Sequence, residues 1–283
     1  MPWVRQQVAN DGNFKETETD RLIQPTKKRQ SNIELCRIVS MLLIIAHHAI
    51  VHGGGTRMEM CANKFIAAFF VPGGKICFVT FMAISTWFLI DQQFRLSRFL
   101  KMWLLVGSIT AIFTVVSYLL GAPVTMREWV GAFLPMMGNS HGFAATYLGF
   151  YLLLPVLLII KEHITTKPQL LYLLAILAFF QLAGQFAPNG HQSLFASELT
   201  LFVLYFFLTL YLKRYPVKFL QSTKRCVAAF VVVWLLDTWL GWTNPEVFGK
   251  FMTEVVMLYN SESSLIPIIG GYLFFGSITK PVG

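Results

Sequence analysis

Residues 31–48 read SNIELCRIVSMLLIIAHH, and the reading of this stretch decides the fold. Ser31 or Asn32 fits the N-cap position of a helix, because a short polar side chain there can accept from a free backbone N–H of the first turn. From 33 to 51 the run is close to the roughly 20 mostly apolar residues needed to cross a hydrocarbon core about 30 Å thick. It is interrupted only by Glu34 and Arg37 near its start and by His47 and His48 near its end. At about 100° per residue, the eleven-residue step from Arg37 to His48 falls within roughly 20° of three full turns. The two side chains therefore share one face about 16 Å apart, with His47 turned away by about 80°. A guanidinium and an imidazole on one stripe of a membrane helix are costly unless they face protein or water, which makes function the first reading.

The rest of the chain has the same character. Of 283 residues, 55% are hydrophobic and 13% charged, a balance that leaves a water-soluble domain unable to cover its surface with polar groups. The apolar runs are continuous, which excludes a β-barrel, whose strands alternate lipid-facing and lumen-facing residues. The expected fold is an all-α polytopic bundle with membrane segments at 33–51, 74–91, 97–120, 144–160, 169–187, 198–213, 225–242 and 263–279. Short amphipathic pieces at 126–137 and 245–260 read as interfacial helices. Residues 1–32, polar and ending in the Lys27-Lys28-Arg29 cluster, read as a disordered cytoplasmic tail ahead of one membrane domain over 33–283.

The net charge of +9 is first explained by loops that hold a membrane protein in place rather than by nucleic acid. Only Arg57, Lys64, Lys75, Arg127 and Lys250 fall on one side of this parse, and the other loop cations collect on the opposite side. Both termini are therefore expected on the cytoplasmic side. Cys36, Cys61, Cys77 and Cys226 form no CxxC pair and read as small hydrophobes.

The spacing on the first helix suggests two stations. Arg37 near the cytoplasmic end is suited to a phosphate or pyrophosphate, and His48, deeper, to removing a proton from a hydroxyl. Each has a plainer reading: Arg37 can pair with Glu34 one turn back, and His48 can be a hydrogen-bonded packing residue. His48 and His52 have the i, i+4 spacing of two metal ligands, but six histidines in the chain are too few for a His-rich membrane metal centre, so no metal is expected. Asp237 lies inside the seventh segment, where a carboxylate needs a partner. It fits either an orienting acid for His48 or a structural hydrogen bond. Gln181 and Gln185 fit interhelical hydrogen bonds. Glu198 fits a helix first turn, and His141 an acceptor contact.

Arg37, ten intervening residues and His48 resemble the R-x10-H motif of the acyltransferase 3 family of integral-membrane acyltransferases. Residues 81–90, FMAISTWFLI, are similar to that family's F-x-x-x-SG(Y/F)-F-L-I stretch, with Ser85 at its serine and Thr86 where glycine is usual. Arg95-Leu96-Ser97-Arg98 resembles its RxxR pattern, and 145–155, ATYLGFYLLLP, its YLGLYLLLP region with Tyr147 and Tyr151. The family runs at least one helix beyond the eighth, so this chain is expected to be a short or incomplete member.

The resemblance implies transfer of an acyl group, most simply acetyl, from acyl-CoA to a hydroxyl of a cell-surface or exported carbohydrate. It implies His48 as catalytic base and Arg37, Arg95 and Arg98 as holders of the CoA phosphates, with anchoring of the bilayer side as the plainer reading of the last two. His47, Ser85, Tyr147 and Asp237 are expected to line the substrate. The rival readings are a transporter or flippase for a lipid or anionic glycan, and an inactive member of the family. The expected location is the plasma or inner membrane.

Overall fold

The computed structural model describes residues 31–55, 58–59, 61–134, 142–185, 197–243 and 265–278. Among them there are helices and no strands. In chain order they are α1 (Ser31–His52), α2 (Ala62–Leu89), α3 (Leu96–Leu119), α4 (Met126–Phe133), α5 (Gly142–His163), α6 (Lys167–Gln185), α7 (Glu198–Arg214), α8 (Thr223–Trp242) and α9 (Leu265–Ile278). Five are long and apolar enough to cross a membrane: α1, α2, α3, α5 from Phe143, and α8. The apolar parts of α6 and α9 are shorter, Lys167–Gln181 and Ile266–Ser277.

Every expected membrane segment is helical over most of its described residues, and the short piece at 126–137 contains α4, an eight-residue helix. Its start is set by a capping box. The Thr125 hydroxyl accepts from the Glu128 N–H at 3.4 Å, and the Glu128 carboxylate accepts from the Thr125 N–H at 2.6 Å. These hydrogen bonds hold the Glu128 carboxyl below its ordinary range. The piece expected at 245–260 and the tail up to residue 30 lie outside the described residues. Ser31 and Asn32, placed with the tail in the sequence reading, already belong to α1.

The second segment needs correction. It was expected to begin at 74, yet α2 starts at Ala62 and runs through Pro72, Gly73 and Gly74. Proline and glycine are tolerated within membrane helices where neighbouring helices pack closely around them. Here Gly73 lies against Leu43 and Trp234, and Gly74 against His47. Lys64, placed in a loop by the sequence reading, consequently lies on α2 together with Lys75.

α2 is the axis of the bundle, packed by α7, α8 and α9, and 56% of its membrane-length stretch is buried against 11% for α3. The difference follows from side-chain size. α2 presents Ala67, Ala68, Gly73, Gly74, Thr80, Ala83, Ser85 and Thr86 to its neighbours, which lets backbones approach. α3 turns Leu104, Leu105, Ile109, Ile112, Phe113 and Leu119 outward, as a helix in hydrocarbon does. Gly270 and Gly271 of α9 nest on Ile76 and Val79 of α2, and Phe150, Phe202 and Phe206 fill the space between α5 and α7.

Thr86 explains part of this packing. Its hydroxyl bonds the Met82 carbonyl at 2.8 Å and meets Thr209 at 2.9 Å; Thr209 in turn meets the Tyr272 hydroxyl at 2.8 Å, which donates to the Tyr205 carbonyl. This buried chain of hydroxyls ties α2 to α7 and α9. Thr86 thus substitutes for glycine on a packing face of α2.

Cys36, Cys77 and Cys226 are buried and all four cysteines are free thiols. Gln181 donates across to the Ser197 carbonyl at 3.1 Å, and the Glu198 carboxylate in the first turn of α7 accepts from Thr146 at 2.8 Å. The side chain of Gln185 lies outside the described residues.

Candidate active site

α1 buries a narrow stripe, Ile33, Cys36, Ser40 and His47, and runs antiparallel to α2. Contacts from His47 to Val71 and Gly74 lie at one end, and from Arg37 to Phe88 at the other. Between α1, α2 and the start of α5 lies a cavity of about 200 Å³. Met41, Ile44, His47 and His48 form one wall, Gly74, Lys75, Phe78 and Phe81 a second, and Phe143 closes it.

The two histidines differ in environment. His47 is 7% exposed, and its Nδ1 lies 2.6 Å from the Val71 carbonyl oxygen. A carbonyl only accepts, so Nδ1 carries the proton in this bond. The ring is held over Gly74 so closely that a Cβ there would fall 2.2 Å from its Cγ. His48 is exposed outside the packed stripe yet lines the same cavity. Its ring meets His47 edge-on at 5.4 Å and stacks on His52 at 5.5 Å. Among the described residues no three metal-binding side chains converge.

Arg37 donates to Glu34 at 3.3 Å while its guanidinium lies over the Phe88 ring at 5.6 Å, with the side chain 34% exposed. The plainer pairing is therefore formed, and it leaves donors on the guanidinium for a further anion. Phe143, in the cavity wall, stacks on Tyr147 at 6.1 Å. The Tyr147 phenol lies beside the Ser85 hydroxyl and within electrostatic reach of Arg98 and Arg37. Tyr147 thus joins the Phe143 wall of the cavity to Ser85 of α2. Ser85 itself donates to the Phe81 carbonyl one turn back at 2.9 Å.

The basic residues at the Arg37 end fall into two groups. Lys161 donates to the Ile90 carbonyl at 3.0 Å, Lys213 to the Trp87 carbonyl at 3.2 Å and to Asp91, and Arg214 to the Lys161 carbonyl at 2.8 Å. These cations cap helix C-termini, where the dipole favours positive charge. Arg95 and Arg98 have exposed side chains at the start of α3. Arg95 uses its backbone N–H on the Tyr151 hydroxyl at 3.3 Å, and Arg98 reaches Gln92.

Asp237 is 4% exposed on α8, one turn from Trp234, whose indole N–H donates to the Phe69 carbonyl at 3.0 Å. The walls of the cavity come from α1, α2 and α5, and Asp237 is not among them. His141 lies outside the described residues. Sequence reasoning missed Lys75, Phe78, Phe81 and Phe143 as lining residues. The signal was available within the expected segment 74–91, because 74, 78 and 81 share one helix face.

Fold and site together define a polytopic helical membrane protein with a histidine-lined cavity inside the bundle and an arginine cluster at one end. The chain matches the acyltransferase domain of the acyltransferase 3 family over residues 30–282. It belongs to that family and is a membrane acyltransferase. No curated protein and no solved structure matches it.

Proposed function

We propose that the protein moves an acyl group, most simply acetyl, from acyl-CoA to a carbohydrate hydroxyl at the cavity between α1, α2 and α5. One observation carries this reading. Arg37 and His48 stand on one helix, about 16 Å apart along its axis, with His48 at a cavity whose Phe143 wall stacks on Tyr147. A cavity of about 200 Å³ holds roughly seven waters' worth of volume. That is room for a thioester end and one hydroxyl, with the nucleotide left at the arginines.

In this reading His48 takes the proton of the acceptor hydroxyl, and the oxygen attacks the thioester carbonyl. The new C–O bond forms as the C–S bond breaks, and the imidazolium returns the proton to the departing CoA thiolate. Lys75, in the same wall, brings positive charge toward the tetrahedral oxyanion. Phe78, Phe81 and Phe143 supply the apolar faces on which a sugar ring packs. Arg37, Arg95 and Arg98 hold the CoA phosphates through paired donors. The Arg37 end faces the cytoplasm, where acyl-CoA is made, in a plasma or inner membrane.

The test is release of free CoA from labelled acetyl-CoA by the purified protein with a polysaccharide acceptor. His48→Ala should abolish release while membrane insertion and elution volume stay unchanged. Full activity in a well-folded His48→Ala protein refutes the assignment, and an accumulation of transported glycan with no CoA released would point to a transporter instead.

A further inference from the structure

A second cavity lies between α7, α8 and α9, with no residue in common with the first. Leu208 and Leu212 of α7, Val232 and Val233 of α8, and Ile269 and Tyr272 of α9 form its walls, and Val217, Phe219 and Leu220 of the α7–α8 connection close one end. Its volume is about 610 Å³, and no polar surface lines it. The Tyr272 hydroxyl is turned away into the chain with Thr209 and Tyr205. Val217, Phe219, Val232 and Ile269 are between 41% and 65% exposed, so the crevice opens outward from the bundle.

The closed end carries charge. Lys218 lies between the lining residues Val217 and Phe219, and Arg225 lies four residues before the lining residue Ala229, on one face of α8. Lys224 adjoins it. All three are exposed, and none makes an ion pair among the described residues, in contrast to Lys213 with Asp91. Lys213 bonds the last turn of α2, so these cations lie at the same end of the bundle as Arg37, at the level of lipid headgroups.

We propose that this crevice and its three cations form a binding site for one anionic phospholipid, independent of the acyl-transfer reading. One acyl chain lies along Leu208, Val232, Val233 and Ile269, and the phosphate is held by Lys218, Lys224 and Arg225. The two halves belong together because hydrocarbon and phosphate meet in a phospholipid at the same depth as the apolar crevice meets its basic rim. A zwitterionic lipid offers the same tail, so headgroup charge is the discriminating property.

The protein, delipidated in mild detergent, is offered phosphatidylglycerol or phosphatidylcholine, and bound lipid is counted by native mass spectrometry. Phosphatidylglycerol should be retained at one per chain with about a hundredfold preference, about 1 kcal/mol per basic residue. Each basic residue near an anionic headgroup contributes about a fivefold gain in affinity. The surface variant K218Q/K224Q/R225Q should therefore lose about a hundredfold for phosphatidylglycerol and nothing for phosphatidylcholine. Ala229→Trp, which projects into the crevice, should weaken both. Equal retention of the two lipids, unchanged affinity in the triple variant, or a lipid-free dimer as the species that covers this face would each overturn the proposal.

Discussion

Replacing Gly74 with alanine should destabilise the protein, against the usual sign of such a change in a helix. An alanine inside a helix is favoured over glycine by about 1 kcal/mol. At Gly74, however, the new Cβ would lie 2.2 Å from Cγ, 2.4 Å from Cδ2 and 2.5 Å from Nδ1 of His47, so the ring must leave. Overpacking of this kind costs about 1–3 kcal/mol, and loss of the Nδ1–H bond to Val71 about 1 kcal/mol more. After the propensity gain, the net loss is about 1–3 kcal/mol. Gly107→Ala on α3 is the control, since its Cβ would meet nothing nearer than 3.5 Å and should leave stability equal or raised by up to about 1 kcal/mol. Thermal unfolding in detergent measures both. A ring displaced by an ångström in the proposed reaction cavity should also lower CoA release by about a hundredfold. The reasoning is refuted if Gly74→Ala unfolds at the temperature of Gly107→Ala or above it.

Thr86→Val removes the first member of the hydroxyl chain but leaves Thr209 its bond to Tyr272. The loss should be about 1 kcal/mol, with Thr86→Ser restoring most of it in the same unfolding assay. Arg37→Gln and Arg98→Gln should raise KM for acetyl-CoA far more than they lower kcat, as expected for uniform binding of a remote phosphate group; a pure kcat loss would remove them from the donor site. The Glu128 carboxyl is held below its ordinary value by Thr125. Its contribution to α4 is therefore complete above the ordinary carboxylate pKa and is lost as pH falls through the lower folded value. Protection of the amides across 126–133 should hold above the ordinary carboxylate value and decline as pH falls below it, and Glu128→Gln should remove that dependence.

The helices were legible wherever a long apolar run met flanking charge, as at 97–120 and 225–242, because hydrocarbon thickness alone sets that length. The start of α2 was not, since Pro72-Gly73-Gly74 has the local chemistry of a break. What keeps the helix whole is Leu43, His47 and Trp234 packed against it, residues distant in the chain. Lys75 lay inside the expected segment at 74–91, but only the packing of α1 and α5 against α2 places it on the cavity wall.

At the site the division is similar. By itself the sequence determined that Arg37 and His48 stand on one stripe of one helix, because helical periodicity is local and admits little else. Which histidine is buried depended on tertiary structure. His47 enters the packed stripe by donating to a carbonyl of another helix and occupying the space left by a glycine. Tertiary structure also decided that Thr86 faces α7 and that Asp237 does not line the cavity. Periodicity tells which residues share a face; only the neighbouring helices tell what that face meets.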